Sequence, residues 1–394
     1  MNRKVLALAI TALLAANAAN AAEIYNKDGN KIHLTGKVEA DYKFRDKAAA
    51  EYNYADNKVS DGKGEKIHNE DNTFARLGFM GETQINSQLT GYATFEHEFS
   101  QGDAAINNSD DTRYAFVGLK YANLGSLDFG RNYGVVGIIR DFTDNAPVFG
   151  GEGFNGERST DVFMLGRASS LATYTNEDLF GYVPGLTTYL QYQAKNSKNE
   201  NVWDQHGDGF AFATTYTHEA TGLSAGFTYA NSDRVDDTQV NLADQGKHAE
   251  IWGIATKYDA NNIYAAISWA QTNNMIPVRD RAGDIHEFAD KTRGLEAIFN
   301  YTFDFGNNSS FTPSIVYNQT RGRDLVGSPD VNNDLTNAYL TKYVGLGAKY
   351  QFNKNIETAV GYKINLVDEK AAYTQGDANI AVDDQVEMRL TYSF

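Results

Sequence analysis

The 394-residue sequence contains no cysteine. That excludes a disulfide scaffold, a thiol nucleophile, a cysteine-ligated zinc and a lipidated N-terminal cysteine. Proline is scarce, at 5. Basic residues are the minority, 35 against 51 acidic, for a formal charge of −16. Such a balance argues against a broad nucleic-acid surface, so no nucleic-acid partner is expected. Beyond residue 21 there is no apolar run of ~18 residues, which excludes a transmembrane helix. Familiar site chemistry is missing as well. No His-Glu-x-x-His, phosphate loop or EF-hand spacing occurs, and the 7 histidines are scattered. No metal or cofactor is therefore expected. What is abundant is aromatic: 24 Tyr, 22 Phe and 3 Trp, together 12%, a content that speaks against disorder.

The first residues read as a targeting segment. Arg3 and Lys4 form a short positive region, Val5 to Ala16 an apolar one, and Ala19 and Ala21 stand at cleavage positions. This predicts a secretory signal peptide over 1–21 and one exported domain over 22–394. The mature chain is then two units more negative, because the leader carries Arg3 and Lys4 and no acid. An exported chain without an apolar helix is either a soluble secreted protein or a membrane β-barrel.

Period-two alternation favours the barrel. At the C-terminus Val386, Met388, Leu390, Tyr392 and Phe394 share one parity, and Gln385, Glu387, Arg389, Thr391 and Ser393 the other. The same pattern predicts sixteen strands: 31–44, 72–86, 89–99, 112–122, 126–133, 164–176, 185–195, 209–219, 223–233, 249–259, 263–272, 292–304, 310–321, 339–352, 356–366 and 384–394. Alternation is less regular at 112–122, 126–133 and 164–176. The connections fall into two classes. Tight turns at 86–88, 220–222, 260–262, 305–309 and 353–355 contrast with long polar stretches at the opposite strand ends. That asymmetry is the signature of an outer-membrane barrel, with the turns toward the periplasm. Sixteen strands ~4.8 Å apart and tilted ~45° enclose a radius near 17 Å, too wide for side chains to fill. The lumen must hold water and the polar parity must face it. A soluble β protein explains the alternation equally well, but not the lopsided connections. Tyr42, Phe44, Phe99, Tyr258, Tyr301, Phe303, Tyr350, Phe352, Tyr392 and Phe394 lie near strand ends, where a barrel places aromatic girdles.

One enzyme-like pattern occurs. Gly222-Leu-Ser224-Ala-Gly226 fits a nucleophile elbow, but that motif needs a helix after the serine. Here strand alternation continues through Phe227 and Tyr229, so no catalytic residue is assigned. The third long connection, 134–163, stands out by its length and by Phe142, Phe149, Phe154 and Phe163. Its apolar content predicts packing, and folded inward it would narrow the lumen. Its acids (Asp141, Asp144, Glu152, Glu157, Asp161) would then face wall bases such as Arg76, Arg113 and Arg167, creating a transverse field across an aqueous neck.

Several segments resemble the trimeric general diffusion porins of enterobacterial outer membranes, the OmpC/OmpF type. They are AEIYNKDGNK (22–31), ARLGF (75–79), GETQIN (81–86), GLKY (118–121), FGRNYGVV (129–136), KYDANNIY (257–264), 350–355 and the terminal Phe394. The resemblance implies an all-β, sixteen-stranded antiparallel transmembrane barrel with an inward-folded third long loop. It implies a homotrimer set among outer-membrane lipid and lipopolysaccharide. The function implied is passive diffusion of ions and small hydrophilic solutes, with no enzymatic activity. Matching motifs place the wall bases at Lys37, Arg76, Arg113 and Arg167, and loop acids at Asp144 and Glu152. A second loop acid is expected where Val148 stands, and Arg140 is an extra base. These two departures predict weaker cation preference than in relatives. Arg131 matches a subunit-contact arginine whose acidic partner is not evident within 100–111; Asp103 is one candidate. Phe394 matches the signal read by the barrel-assembly machinery. A substrate-specific channel remains the rival reading; Tyr264 and Tyr189 face inward, but no continuous aromatic row accompanies them.

Overall fold

The computed structural model describes residues 21–45, 52–53, 58–59, 70–100, 111–154, 162–197, 205–235, 247–279, 285–323, 337–367 and 383–394. The body of the signal segment, Asp103, Glu157 and Asp161 lie outside the described residues. Sixteen antiparallel strands form one closed barrel. They are β1 (Asn30–Arg45), β2 (Phe74–Gln84), β3 (Leu89–Ser100), β4 (Asp111–Tyr121), β5 (Gly125–Tyr133), β6 (Arg167–Asn176), β7 (Leu186–Gln193) and β8 (Gly209–His218). They continue as β9 (Leu223–Asp233), β10 (His248–Ala260), β11 (Ile263–Asn273), β12 (Lys291–Tyr301), β13 (Ser309–Arg323), β14 (Asn337–Gln351), β15 (Ile356–Asn365) and β16 (Gln385–Ser393). Each strand pairs with its successor, and β16 returns to β1 with Lys37 opposite Ser393. Closure leaves no row of unpaired backbone groups along a sheet edge, the condition for a sheet in hydrocarbon.

Burial decides between the soluble and membrane readings. The apolar parity is the exposed one: Val117 is 61% exposed, Phe210 66% and Leu390 54%. The polar parity is hidden, with Glu296 and Asn318 fully buried. A water-soluble sheet shows the reverse, so the outer surface is built for lipid.

The tight turns follow from residues that tolerate left-handed backbone. Asp28-Gly29, Asn261-Asn262 and Asn307-Asn308 all have positive φ at both positions, as a two-residue hairpin of the right twist requires. The short strand Ala22–Lys27, not anticipated from the sequence, pairs with the start of β1. It continues the line of β16, so the two chain ends together fill one wall position.

Three irregularities correct the sequence reading. The expected strand at 164–176 begins only at Arg167, because Phe163 and Met164 adopt positive φ and bury their side chains. A bulge at Ser170 then interrupts its alternation. A second bulge between Glu96 and His97 shifts β3 against β4 and blurs 112–122. The irregular alternation at 112–122 and 164–176 therefore has a local cause.

Candidate functional site

The segment between β5 and β6 opens with a short helix, α1 (Val135–Arg140). Val135, Val136, Ile139, Phe142, Phe149 and Phe154 along it are all buried. They pack on the polar-parity face of the wall, where glycines leave room. A Cβ built on Gly294 would stand 1.6 Å from the carbonyl oxygen of Gly153. On Gly361 it would stand 2.7 Å from the Phe149 ring and 2.9 Å from Val148. Neither glycine has an unusual φ; both are needed for close approach.

Polar anchors hold the same segment. Glu296 on β12 accepts from the Thr143 hydroxyl (2.7 Å), the Gly153 N–H (3.2 Å), the Glu152 N–H (3.4 Å) and Asn318 Nδ2 (3.1 Å). Asn300 donates to the Asn145 carbonyl at 2.7 Å and Tyr264 to the Phe142 carbonyl at 2.6 Å. Gln191 accepts from the Val135 N–H at 3.0 Å. Backbone groups of this segment, the first N–H of α1 included, are thus satisfied by wall side chains.

The expected bases do gather on one wall, but with acids of their own. Arg76 Nε lies 2.5 Å from Glu98, and Arg113 bridges Glu96 at 2.5 Å and Glu98 at 3.2 Å. Lys37 pairs with Glu39 at 2.8 Å. Arg167 joins this group with its Nε buried and without a hydrogen-bond partner. The sequence reading missed Glu39, Glu96 and Glu98, although each shares its strand's inward parity. It also missed Arg389, which sits 3.5 Å from Asp41, pairs with Glu387, and donates to the Val148 carbonyl at 3.3 Å.

The loop charges are placed differently from the expectation. Arg140 is buried and bound to the Tyr133 hydroxyl (2.5 Å) and Asp141 (3.0 Å), so it adds no free positive charge to a passage. Val148 is 8% exposed and packs at Gly361, so its side chain serves wall packing. Glu152 stands 3.9 Å from Lys363. Asp144 is exposed to water yet crowded by loop and wall. That crowding, then the Asp141 charge, push its carboxyl up to about 6, against the pull of Arg140 and Arg389.

Arg131 lies on the outer parity of β5. It donates to the Thr112 carbonyl, to Ser169 Oγ (2.9 Å) and to Asp111 (3.3 Å). An acidic partner thus exists at the end of 100–111, within the same chain. Phe394 exchanges both backbone hydrogen bonds with Gly36, at 3.0 and 3.2 Å, and its ring occupies the space that a Cβ on Gly36 would need. Ser224 lies inside β9, 3.0 Å from Thr217 Oγ1, with no helix after it and hence no elbow.

A closed barrel with a lipid-facing exterior, a polar interior wall and charged groups gathered on that wall matches one family over residues 27–394, described as Gram-negative porin. The chain belongs to the Gram-negative porin family. The outer membrane porin protein OmpD of Citrobacter koseri is 46% identical over 401 residues, covering 100% of both chains. Outer membrane porin F of Salmonella typhi is 42% identical over 396 residues, again covering 100% of both. A solved structure of Salmonella typhi OmpF in complex with daunomycin superposes with a TM-score of 0.80 at 39% identity, covering 95% of this chain and 100% of that one. The protein is an outer-membrane porin, a water-filled channel for passive diffusion, and not an enzyme.

Proposed function

We propose that the described part of the third long connection, 134–154, lies within the lumen and forms the pore's constriction. The gap between its acids, Asp144 and Glu152, and the wall group of Lys37, Arg76, Arg113 and Arg167 is the passage. The observation that carries this reading is the seating of Gly153 and Phe149 in the notches at Gly294 and Gly361, on the parity opposite the lipid face. Because Glu39, Glu96 and Glu98 offset the wall bases, the neck carries little net charge. Ion selectivity is accordingly weak, and its sign depends on Asp144. Charges beyond ~8 Å are largely screened at physiological salt, so these local groups outweigh the acidic total. A cation preference weaker than in relatives, expected from Val148 and Arg140, is kept in this reading with a different cause. Planar-bilayer recording tests it. Removing the Arg113 charge (Arg113→Gln) moves the zero-current potential in a salt gradient toward cations; an unchanged potential rejects this placement of the neck.

The working unit in this reading is a homotrimer, with Arg131 near the subunit contact. The support is resemblance to the trimeric porins, and light scattering in mild detergent tests it. The leader over 1–21 directs export and is removed after Ala21. Ala22 supports this, since it is the first residue of the strand that pairs with β1. N-terminal sequencing of the membrane protein would begin at Ala22. Phe394 serves the barrel-assembly machinery, and lipopolysaccharide surrounds the outward rim.

A further inference from the structure

At the long-connection end of the barrel, one cation is enclosed by aromatic rings without a counter-charge. Arg234 follows directly on β9. Its guanidinium lies 3.5 Å from the ring centroid of Phe288 and 5.6 Å from that of Phe163. Nη2 donates to the Asn274 carbonyl, and Nε is buried with no hydrogen-bond partner. Among the described residues, no ion pair reaches it. Burial alone pulls its ionisation downward, and no acid offsets it. An enclosed cation without an acid is destabilising unless something else compensates, and here the two ring faces and one carbonyl do so.

The contacts join two separate connections. Asn274 and Phe288 come from opposite ends of the stretch between β11 and β12. Those ends are tied together, Asn274 N–H to the Asp290 carbonyl at 3.1 Å and Ala289 N–H to the Ile276 carbonyl at 2.8 Å. Phe163 belongs to the limb on which the third long connection returns to β6. That limb is strained. Phe163 and Met164 both have positive φ, 54° and 55°, a conformation that side-chain-bearing residues hold only where their surroundings over-determine it. Met164 is wedged in place: a Cβ on Gly209 would stand 2.9 Å from its Cε, and one on Gly134 2.0 Å from its carbonyl oxygen. The limb also accepts from the start of the connection, Gly166 from the Gly134 N–H at 2.6 Å and Met164 from the Val136 N–H at 3.3 Å.

We propose that Arg234 is a positioning residue: clamped between Phe288 and Phe163, it lets the connection between β11 and β12 hold the strained returning limb of the third long connection. The planar guanidinium suits this place, because its two faces can each meet a ring while its edge donates to a carbonyl. Holding the limb also holds Gly134 and Val136, and through them the entry into α1. The clamp stands on contacts outside the neck. Only its effect on conductance rests on the neck reading given above.

The test is hydrogen exchange by mass spectrometry on the full folded barrel in detergent, with planar-bilayer recording beside it. Arg234→Met keeps an unbranched side chain between the rings but removes the charge and the donors. It is expected to speed amide exchange within 134–136 and 162–166 roughly tenfold, with β12 and β13 unchanged. Arg234→Lys keeps a cation over the rings and should restore most of the protection. Phe288→Leu should reproduce the loss. The double variant Arg234→Met, Phe288→Leu should exceed the larger single effect by no more than about twofold, because both changes remove one contact. Wild-type exchange in Arg234→Met overturns the clamp. So does Arg234→Lys exchanging as fast as Arg234→Met, or single effects that multiply in the double variant. Fast exchange with wild-type conductance upholds the clamp and rejects the neck reading; wild-type exchange with altered conductance rejects the clamp alone. Should Arg234→Met fail to fold, Phe288→Leu carries the test, and wild-type exchange there overturns the clamp.

Discussion

Glu296→Leu isolates the polar anchor of the segment between β5 and β6. The carboxylate receives four donors, and leucine receives none. They do not all suffer equally. Thr143 Oγ1 can turn to the Arg140 carbonyl, already 3.0 Å away. Asn318 and the Gly153 N–H have no such alternative, and both are buried. Leaving two buried donors unsatisfied costs about 1–3 kcal/mol each, so roughly 2–6 kcal/mol is lost locally. Even ~3 kcal/mol raises the ratio of detached to seated loop by more than a hundredfold. Asn300, Tyr264 and Arg389 still hold the 142–148 stretch, so the effect concentrates on 149–154. The barrel ladder is untouched and heat-modifiable mobility should persist. Single-channel recording should show flickering conductance at steady voltage. Limited proteolysis of the folded protein should gain cuts within 149–161. Quiet wild-type openings together with a wild-type digestion pattern would refute the idea that Glu296 holds the loop.

Three further outcomes are expected. Asp144, pushed up to about 6, is charged above that pH and neutral below it. Lowering pH from 7 to 5 should therefore move the zero-current potential toward anions, and Asp144→Asn should show the acid value at both pH values; a variant that still follows pH locates the titration elsewhere. Gly294→Ala places a methyl where the Gly153 carbonyl lies, so the loop must lift from the wall and conductance should change by tens of per cent in bilayer recordings; wild-type conductance would mean the loop is not seated there. Deleting Phe394 removes both hydrogen bonds to Gly36 and the ring beneath it, so folded yield in outer-membrane fractions should fall several-fold, with unchanged heat-modifiable protein as the contrary result.

Much of the barrel was legible in the sequence because its causes are local. A period of two is visible within ten residues, and so is a turn such as Asn261-Asn262 that needs positive φ twice. Sixteen strands, two classes of connection and an aromatic-rich exterior follow from those signals. So does the packing of the phenylalanine-bearing loop. The charge arrangement was not legible, because it depends on which strands become neighbours. Glu96 and Arg113 are seventeen positions apart and meet only through the β3–β4 register, bulge included. Thr143 reaches Glu296, and Arg389 reaches Val148, across 153 and 241 positions through the closed wall. Arg140 reads as a free base until Asp141 and the Tyr133 hydroxyl close on it. Val148 reads as a missing acid until Gly361 supplies the notch it fills. Residue type and spacing determined a membrane barrel. Closure and register, which bring remote side chains within a few ångströms, decided which charges pair and which glycines yield room.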